Sequence, residues 1–296
     1  MSAAISRTSK IALAFLTVYL VWGSTYLAIR VGVADLPPAL FAGARFVISG
    51  IALGAIAHWH GMAFPRTLRE WKITGIVGVF LLAGGNGLVV WGEQWVPSNQ
   101  AALIVATTAL WLAGLGTLGA QGQTLTRPTL LGLVIGFLGV VLLLYPNAEK
   151  FSFAHFGGQL GIMLAALLWA SGSIYNKRRP IAVPLLMAAS MQMLVGGLVL
   201  CAIGLATGEV QQWKWTLPGL AALGYLIVFG SSTYAVYIWL LHNVTPAQLG
   251  TYAYVNPAVA VALGWWLLDE RLSAVQVIAM LIILTGVLLV SITSRN

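Results

Sequence analysis

Apolar residues along this chain come in unbroken runs of about twenty, separated by short polar breaks, and do not alternate with polar ones. A hydrocarbon core about 30 Å thick takes roughly 20 residues of helix to cross. The runs predict ten such helices, at 11–33, 39–58, 72–94, 98–119 and 128–146, then 156–177, 182–206, 217–241, 245–268 and 274–292. A membrane barrel would alternate over about ten positions, whereas 130–144 is apolar throughout. The first run follows Arg7 and Lys10, as the core of a signal peptide follows its basic residues. It is longer than such a core and carries a polar stretch at 22–26, so it reads as a mature helix.

Composition narrows the class. The chain has 296 residues, 59% hydrophobic and only 7% charged. Soluble chains run near 25% charged, and no soluble domain of this size hides so much apolar surface. The sequence is therefore that of an all-α integral membrane protein, with the lipid bilayer as its first partner. The single Cys201 excludes an internal disulfide and a cysteine-based metal site. The net charge of +8 sorts by side. Arg7, Lys10, Arg66, Arg69, Lys72, Arg127, Lys177, Arg178, Arg179 and Arg295 fall on the side of the N terminus. Only Arg30, Lys150, Lys214 and Arg271 fall opposite, with Arg45 inside a span. Basic loops stay cytoplasmic, so both termini are expected in the cytoplasm and nucleic-acid binding needs no place.

The halves repeat. At an offset of 147, Trp22 meets Trp169, Ser24 meets Ser171 and Pro37 meets Pro184. At 148, Trp91 meets Trp239 and Gln100 meets Gln248; at 147 again, Gly139-Val140 meets Gly286-Val287. Residues 1–150 and 151–296 thus read as two five-helix repeats forming one transport domain. Five crossings is an odd number, so the second copy enters the membrane inverted. Inverted repeats are a mark of secondary transporters, with the substrate near the midplane and alternating access by rocking of the halves.

Several segments resemble the EamA-type branch of the drug/metabolite transporter superfamily. They are Trp22-Gly23-Ser24-Thr25-Tyr26, Pro37-Pro38 leading to Arg45-Phe46, Tyr254-Val255-Asn256-Pro257, and Asp269-Glu270-Arg271-Leu272. The resemblance implies ten helices in inverted repeats and export of small metabolites, with the aromatic amino-acid exporters as a functional analogue. The family often has proline where Ala109 stands and an acid where Gln123 stands.

Candidate cavity residues follow from polar side chains at mid-depth, where lipid penalises them. Gln248, Tyr252 and Asn256 lie four apart on one helix face, and Pro257 frees the carbonyl of Ala253 and favours a bend. Thr108 and Trp111 hold the matching region of the fourth helix. Asn86 follows Gly84-Gly85, with Tyr234 as its counterpart in the second repeat. Trp22 and Trp169 sit mid-span, with Thr25 and Ser173 nearby to supply hydroxyls. Each of these side chains could equally serve to bond neighbouring helices. Arg45, about 12 Å deep at 1.5 Å per residue, is a structural anchor or an anion contact, paired with backbone carbonyls, an acid such as Glu93, or a substrate carboxylate. No acid falls mid-span, so facilitated export or exchange is expected in place of proton antiport through a buried carboxylate.

The function expected is an inner-membrane secondary transporter that exports amino acids or similar small metabolites from a central midplane cavity. Sugar-phosphate or nucleotide-sugar exchange would call for more cations in the spans, and cationic-drug efflux for a buried acid. A membrane enzyme or scaffold is the remaining alternative, and no catalytic arrangement is evident. No cofactor or metal is called for, and a monomer suffices.

Overall fold

The computed structural model describes residues 6–96, 98–145, 155–268 and 273–293. The Asp269–Leu272 motif, together with Glu149, Lys150 and Arg295, lies outside them. Ten helical segments run in sequence: α1 Arg7–Val33, α2 Pro38–Trp59, α3 Leu68–Gly92, α4 in two pieces (Ser98–Ala106 and Thr108–Thr117) and α5 Arg127–Leu144. The second half contributes α6 Phe156–Arg178, α7 Leu185–Ala206, α8 Leu217–Asn243, α9 in two pieces (Pro246–Gly250 and Tyr252–Leu268) and α10 Ala274–Thr293. Among the described residues nine are long and apolar enough to cross a membrane as they stand. The tenth, α9, is not among them; it is split at Thr251 into pieces of 5 and 17 residues.

Local chemistry starts these helices. A threonine N-cap followed by proline in the first turn opens α5 (Thr126, Pro128), α8 (Thr216, Pro218) and α9 (Thr245, Pro246). The threonine hydroxyl accepts an otherwise orphaned amide, and proline occupies a position whose amide has no partner to lose. Thr67 and Glu70 form a reciprocal capping box at α3. At α2 the cap is brought from the other half. The Glu209 carboxylate accepts from the amides of Ala39 (3.2 Å) and Leu40 (2.7 Å), a charge suited to a helix N-terminus.

The helices of one repeat pair with those of the other. α2 lies along α7 and α5 along α10, while α1 packs on α8 and α9 as α6 packs on α3 and α4. This exchange is what an inverted duplication produces. Small residues form the two like-with-like seams. A Cβ on Gly43 of α2 would stand 3.0 Å from the Gly197 carbonyl oxygen of α7, and Ser190 of α7 donates to the Gly50 carbonyl oxygen of α2 (2.7 Å). A Cβ on Gly286 of α10 would fall 2.5 Å from the backbone nitrogen of Gly136 in α5. Between membrane helices such close approach supplies the packing that water cannot drive.

The small residues Gly84-Gly85-Asn86-Gly87 allow close helix approach or an irregular turn facing a cavity, and the structure has wide π turns in both α3 and α8. They occupy Val79–Asn86 and Leu226–Gly230, and Leu226 stands 147 residues after Val79. A π turn holds one extra residue and re-aims the side chains beyond it. In α9 the interruption falls at Thr251, whose amide is bonded to the Gln248 carbonyl (3.1 Å). Pro257, expected to mark a bend, lies inside the continuous second piece.

Candidate functional site

Between the repeats lies a cavity of about 110 Å³. Its lining runs from mid-membrane toward the side opposite the N terminus. α1 contributes Trp22, Thr25, Tyr26 and Ile29, and α2 contributes Arg45 and Phe46. α3 supplies Leu82, Gly85, Asn86 and Val89, α4 Val105 and Thr108, and α6 Ala165, Ala166 and Trp169. Gly230 and Tyr234 of α8 and Tyr252 and Asn256 of α9 complete it. Both π turns therefore border the cavity.

The five residues at 22–26 divide the work on α1. A Cβ on Gly23 would stand 2.6 Å from Val259 Cβ and 3.2 Å from the Asn256 carbonyl oxygen, so glycine sets how close α1 comes to α9. Trp22 donates to the Gly230 carbonyl (3.2 Å), holding the indole to the π turn of α8. Ser24 is bonded to the Tyr225 hydroxyl, and Thr25 returns its proton to the Trp22 carbonyl (2.7 Å).

An aromatic cluster makes one end of the cavity. Trp22 meets Trp169 edge to face, with centroids 5.6 Å apart, and lies 5.2 Å from Tyr237 and 5.3 Å from Tyr252. Trp169 donates to the Tyr237 hydroxyl (2.9 Å), which is also bonded to Ser173 (2.7 Å). Tyr234 donates to Gln192 of α7 (2.7 Å). In this cluster Trp22, Trp169, Tyr234 and Tyr237 thus find partners away from water, whereas Trp213 Nε1 and Tyr254 Oη elsewhere do not.

The polar end is built around Arg45, which is 5% exposed. Its Nη2 donates to the Asn86 side-chain oxygen, and its guanidinium carbon lies 4.3 Å from the Phe46 ring centroid. Among the described residues, Arg45 Nε, Asn256 Oδ1 and Glu93 Oε1 are buried with no hydrogen-bond partner. Nearly all buried polar atoms are bonded in folded proteins; of the seven unpartnered ones among the described residues, those of Arg45 and Asn256 belong to side chains that line this cavity, and the others lie off its lining. Glu93 lies in the turn just beyond α3, seven residues after Asn86. Burial pushes its carboxyl up to about 8, while the nearby Arg30 and Arg45 pull it back. The sequence reading found no acid mid-span, and among the described residues none is there. Nevertheless Arg45 feels an acid from just past a helix end.

Of the residues expected from sequence, Trp22, Thr25, Arg45, Asn86, Thr108, Trp169, Tyr234, Tyr252 and Asn256 come together around this cavity. Ser173 does not line it; fully buried, it braces Trp169 and Tyr237 from behind. Trp111 is 37% exposed and also lies off the lining. Its depth was readable by counting residues, but in so apolar a helix its face was not. Tyr26 and Tyr237 were missed, although helical spacing from Trp22 and Tyr234 could have flagged them; Glu93 was expected only as a candidate partner of Arg45.

The side of the N terminus is closed by two adjacent cations at the end of α6. Lys177 donates to the carbonyls of Leu241 (2.6 Å) and Val244 (2.7 Å) at the end of α8. Arg178 donates to those of Leu115 (3.1 Å) and Gly116 (3.2 Å) at the end of α4. Terminal carbonyls lack helical partners and carry the negative end of the dipole.

The model of the EamA-like transporter family matches the chain twice, at residues 9–145 and 156–292. The chain belongs to this family. Each EamA-like match covers one five-helix repeat. Among relatives, the uncharacterized inner membrane transporter YedA of Escherichia coli K12 is 38% identical over 94% of this chain and 89% of its own length. YoaV of Bacillus subtilis, an uncharacterized transporter, is 22% identical over 94% and 95%, and protein PagO of Salmonella typhimurium 25% identical over 98% and 95%. A crystal structure of a protein 23% identical superposes with a TM-score of 0.78, covering 98% of this chain and 99% of that one. That likeness supports the EamA-like fold. The chain is a multi-pass membrane transporter of the drug/metabolite superfamily.

Proposed function

We propose that this transporter sits in the inner membrane and exports amino acids or similar small metabolites by alternating access. The observation that carries the reading is the pair of orphaned polar atoms in one cavity. Arg45 Nε offers a donor with positive charge, and Asn256 Oδ1 offers an acceptor. A small solute with a carboxylate and an ammonium group meets both, while Trp22, Trp169 and Tyr252 offer flat surfaces to its apolar part. With the termini in the cytoplasm, the cations Lys177 and Arg178 close the inner side, and the cavity reaches toward the outside. Export then requires those ties to part so that the cavity loads from within.

Counterflow in proteoliposomes tests this with a panel of neutral amino acids, alongside Arg45→Gln and Asn256→Ala. The expected result is exchange of at least one panel member, reduced tenfold or more in each variant, since a charge-assisted bond contributes about 1.5–3 kcal/mol. Transport of the same solute unchanged by both substitutions rules out this cavity as its site. Failure of every panel member rules out the substrate class.

A further inference from the structure

A second depression lies well away from the central cavity, on the outer surface at the N-terminal side of the membrane. This groove of about 480 Å³ runs between the start of α3 and the end of α6. Arg69 and Lys72 line it from α3 and Arg179 from just past the end of α6, with Leu68, Ile73, Ile76 and Tyr175 completing its walls. All three cations are exposed. The neighbouring Glu70 carboxylate keeps its charge but turns to the amides of Arg66 (2.8 Å) and Thr67 (2.9 Å) and is bonded to none of the three cations. Arg69 makes only a long bond to the Pro180 carbonyl (3.5 Å). Among the described residues no acid is bonded to Lys72 or Arg179.

Two features fix what such a groove takes. Cations in the first turns of a helix oppose its dipole, so Arg69 and Lys72 are poorly placed unless an anion joins them. Leu68 is 70% exposed and Ile76 39%, and Trp71 beside them is 44% exposed. Exposed tryptophan marks the level of lipid headgroups, and apolar side chains below it face acyl chains. The groove is thus charged at headgroup depth and greasy beneath.

We propose that this groove binds an anionic phospholipid, its phosphate held by Arg69, Lys72 and Arg179 and its acyl chains lying along Leu68 and Ile76. Orientation bias alone would scatter basic residues over every loop on this side. Here three of them converge on one groove from two helices. The site is independent of the transported solute and of the central cavity. It ties the α3 end to the α6 end, next to the Lys177–Arg178 closure.

Native mass spectrometry of the full chain in detergent tests it, with phosphatidylglycerol and phosphatidylcholine of identical acyl chains as competing probes. Wild type is expected to retain phosphatidylglycerol over phosphatidylcholine by roughly tenfold or more, from three cations near an anionic headgroup. The triple variant Arg69→Gln, Lys72→Gln, Arg179→Gln is expected to lose that preference. A control triple on the same side, Arg7→Gln, Lys10→Gln, Arg127→Gln, is expected to keep it. Leu68→Asp, which puts a carboxylate into the groove without touching the cations, is expected to weaken retention as well. Full preference in the first triple, or equal loss in the control, overturns the proposal. So does displacement of the lipid by millimolar inorganic phosphate, which would make the site one for free anions.

Discussion

Trp22 and Trp169 stand 147 residues apart in the chain and edge to face in the structure, planes at 80°. They are the same position in the two repeats, yet their indole protons go to different acceptors, both on α8. Trp22 donates to a backbone carbonyl and Trp169 to the Tyr237 hydroxyl. Duplication gave a symmetric pair, and the second repeat alone supplies what anchors it.

That asymmetry predicts unequal costs. Tyr237→Phe leaves the Trp169 N–H and the Ser173 hydroxyl without their shared partner, at about 1–3 kcal/mol. Trp22→Phe removes donor and bond together and should cost about 1 kcal/mol. Thermal unfolding in detergent measures both, and the order Tyr237→Phe worse than Trp22→Phe is the outcome at stake.

The seam between α5 and α10 predicts a contrast among glycines. Gly286→Ala drives a methyl against the backbone of Gly136 and should destabilise by about 1–3 kcal/mol. Gly114→Ala, in α4, meets nothing within 4 Å and should be neutral, or stabilise by up to about 1 kcal/mol through helix propensity. Melting temperatures of the two variants beside wild type decide it.

The closure by Lys177 and Arg178 predicts a shift in accessibility. In Lys177→Met with Arg178→Gln, four bonds to the ends of α8 and α4 disappear. With Cys201→Ser and Thr108→Cys as background, labelling of the cavity by a membrane-impermeant thiol reagent from the N-terminal side should rise severalfold. Labelling unchanged by the double substitution would show that these cations are not the closure.

Glu93 predicts a pH dependence of stability. Its carboxyl titrates near 8 in the folded protein against an ordinary value of 4.5. Between those limits the folded state holds the proton more tightly than the unfolded one. Stability should therefore fall as pH rises from about 4.5 to about 8, with the loss complete above that. Glu93→Gln should flatten the profile, as melting at pH 5 and pH 9 in detergent would report.

The number of helices, their order and their inversion were legible because twenty-residue apolar runs and a repeat offset need no tertiary information. Depth was legible too, which is why Asn86, Arg45 and Trp169 all reached the cavity. Face was not, since polar periodicity is nearly absent in a helix such as α4, and Trp111 was misplaced for that reason. The π turn of α8 escaped because widening by one residue leaves no local signature, whereas the glycines at 84, 85 and 87 had allowed an irregular turn in α3. Thr251 breaks α9 although proline stands at 257, because its amide bonds back to Gln248 in a tight turn.

The pairing of α2 with α7 and α5 with α10 has a consequence for how the protein is made. Translation delivers α5 to the membrane well before its glycine-seamed partner, which is the last of these ten helices. Until then its seam faces lipid or a temporary neighbour. The first repeat cannot finish assembling on its own, and a ribosome that stops before Ala274 leaves an insertion intermediate with an open flank. The completed chain hides it.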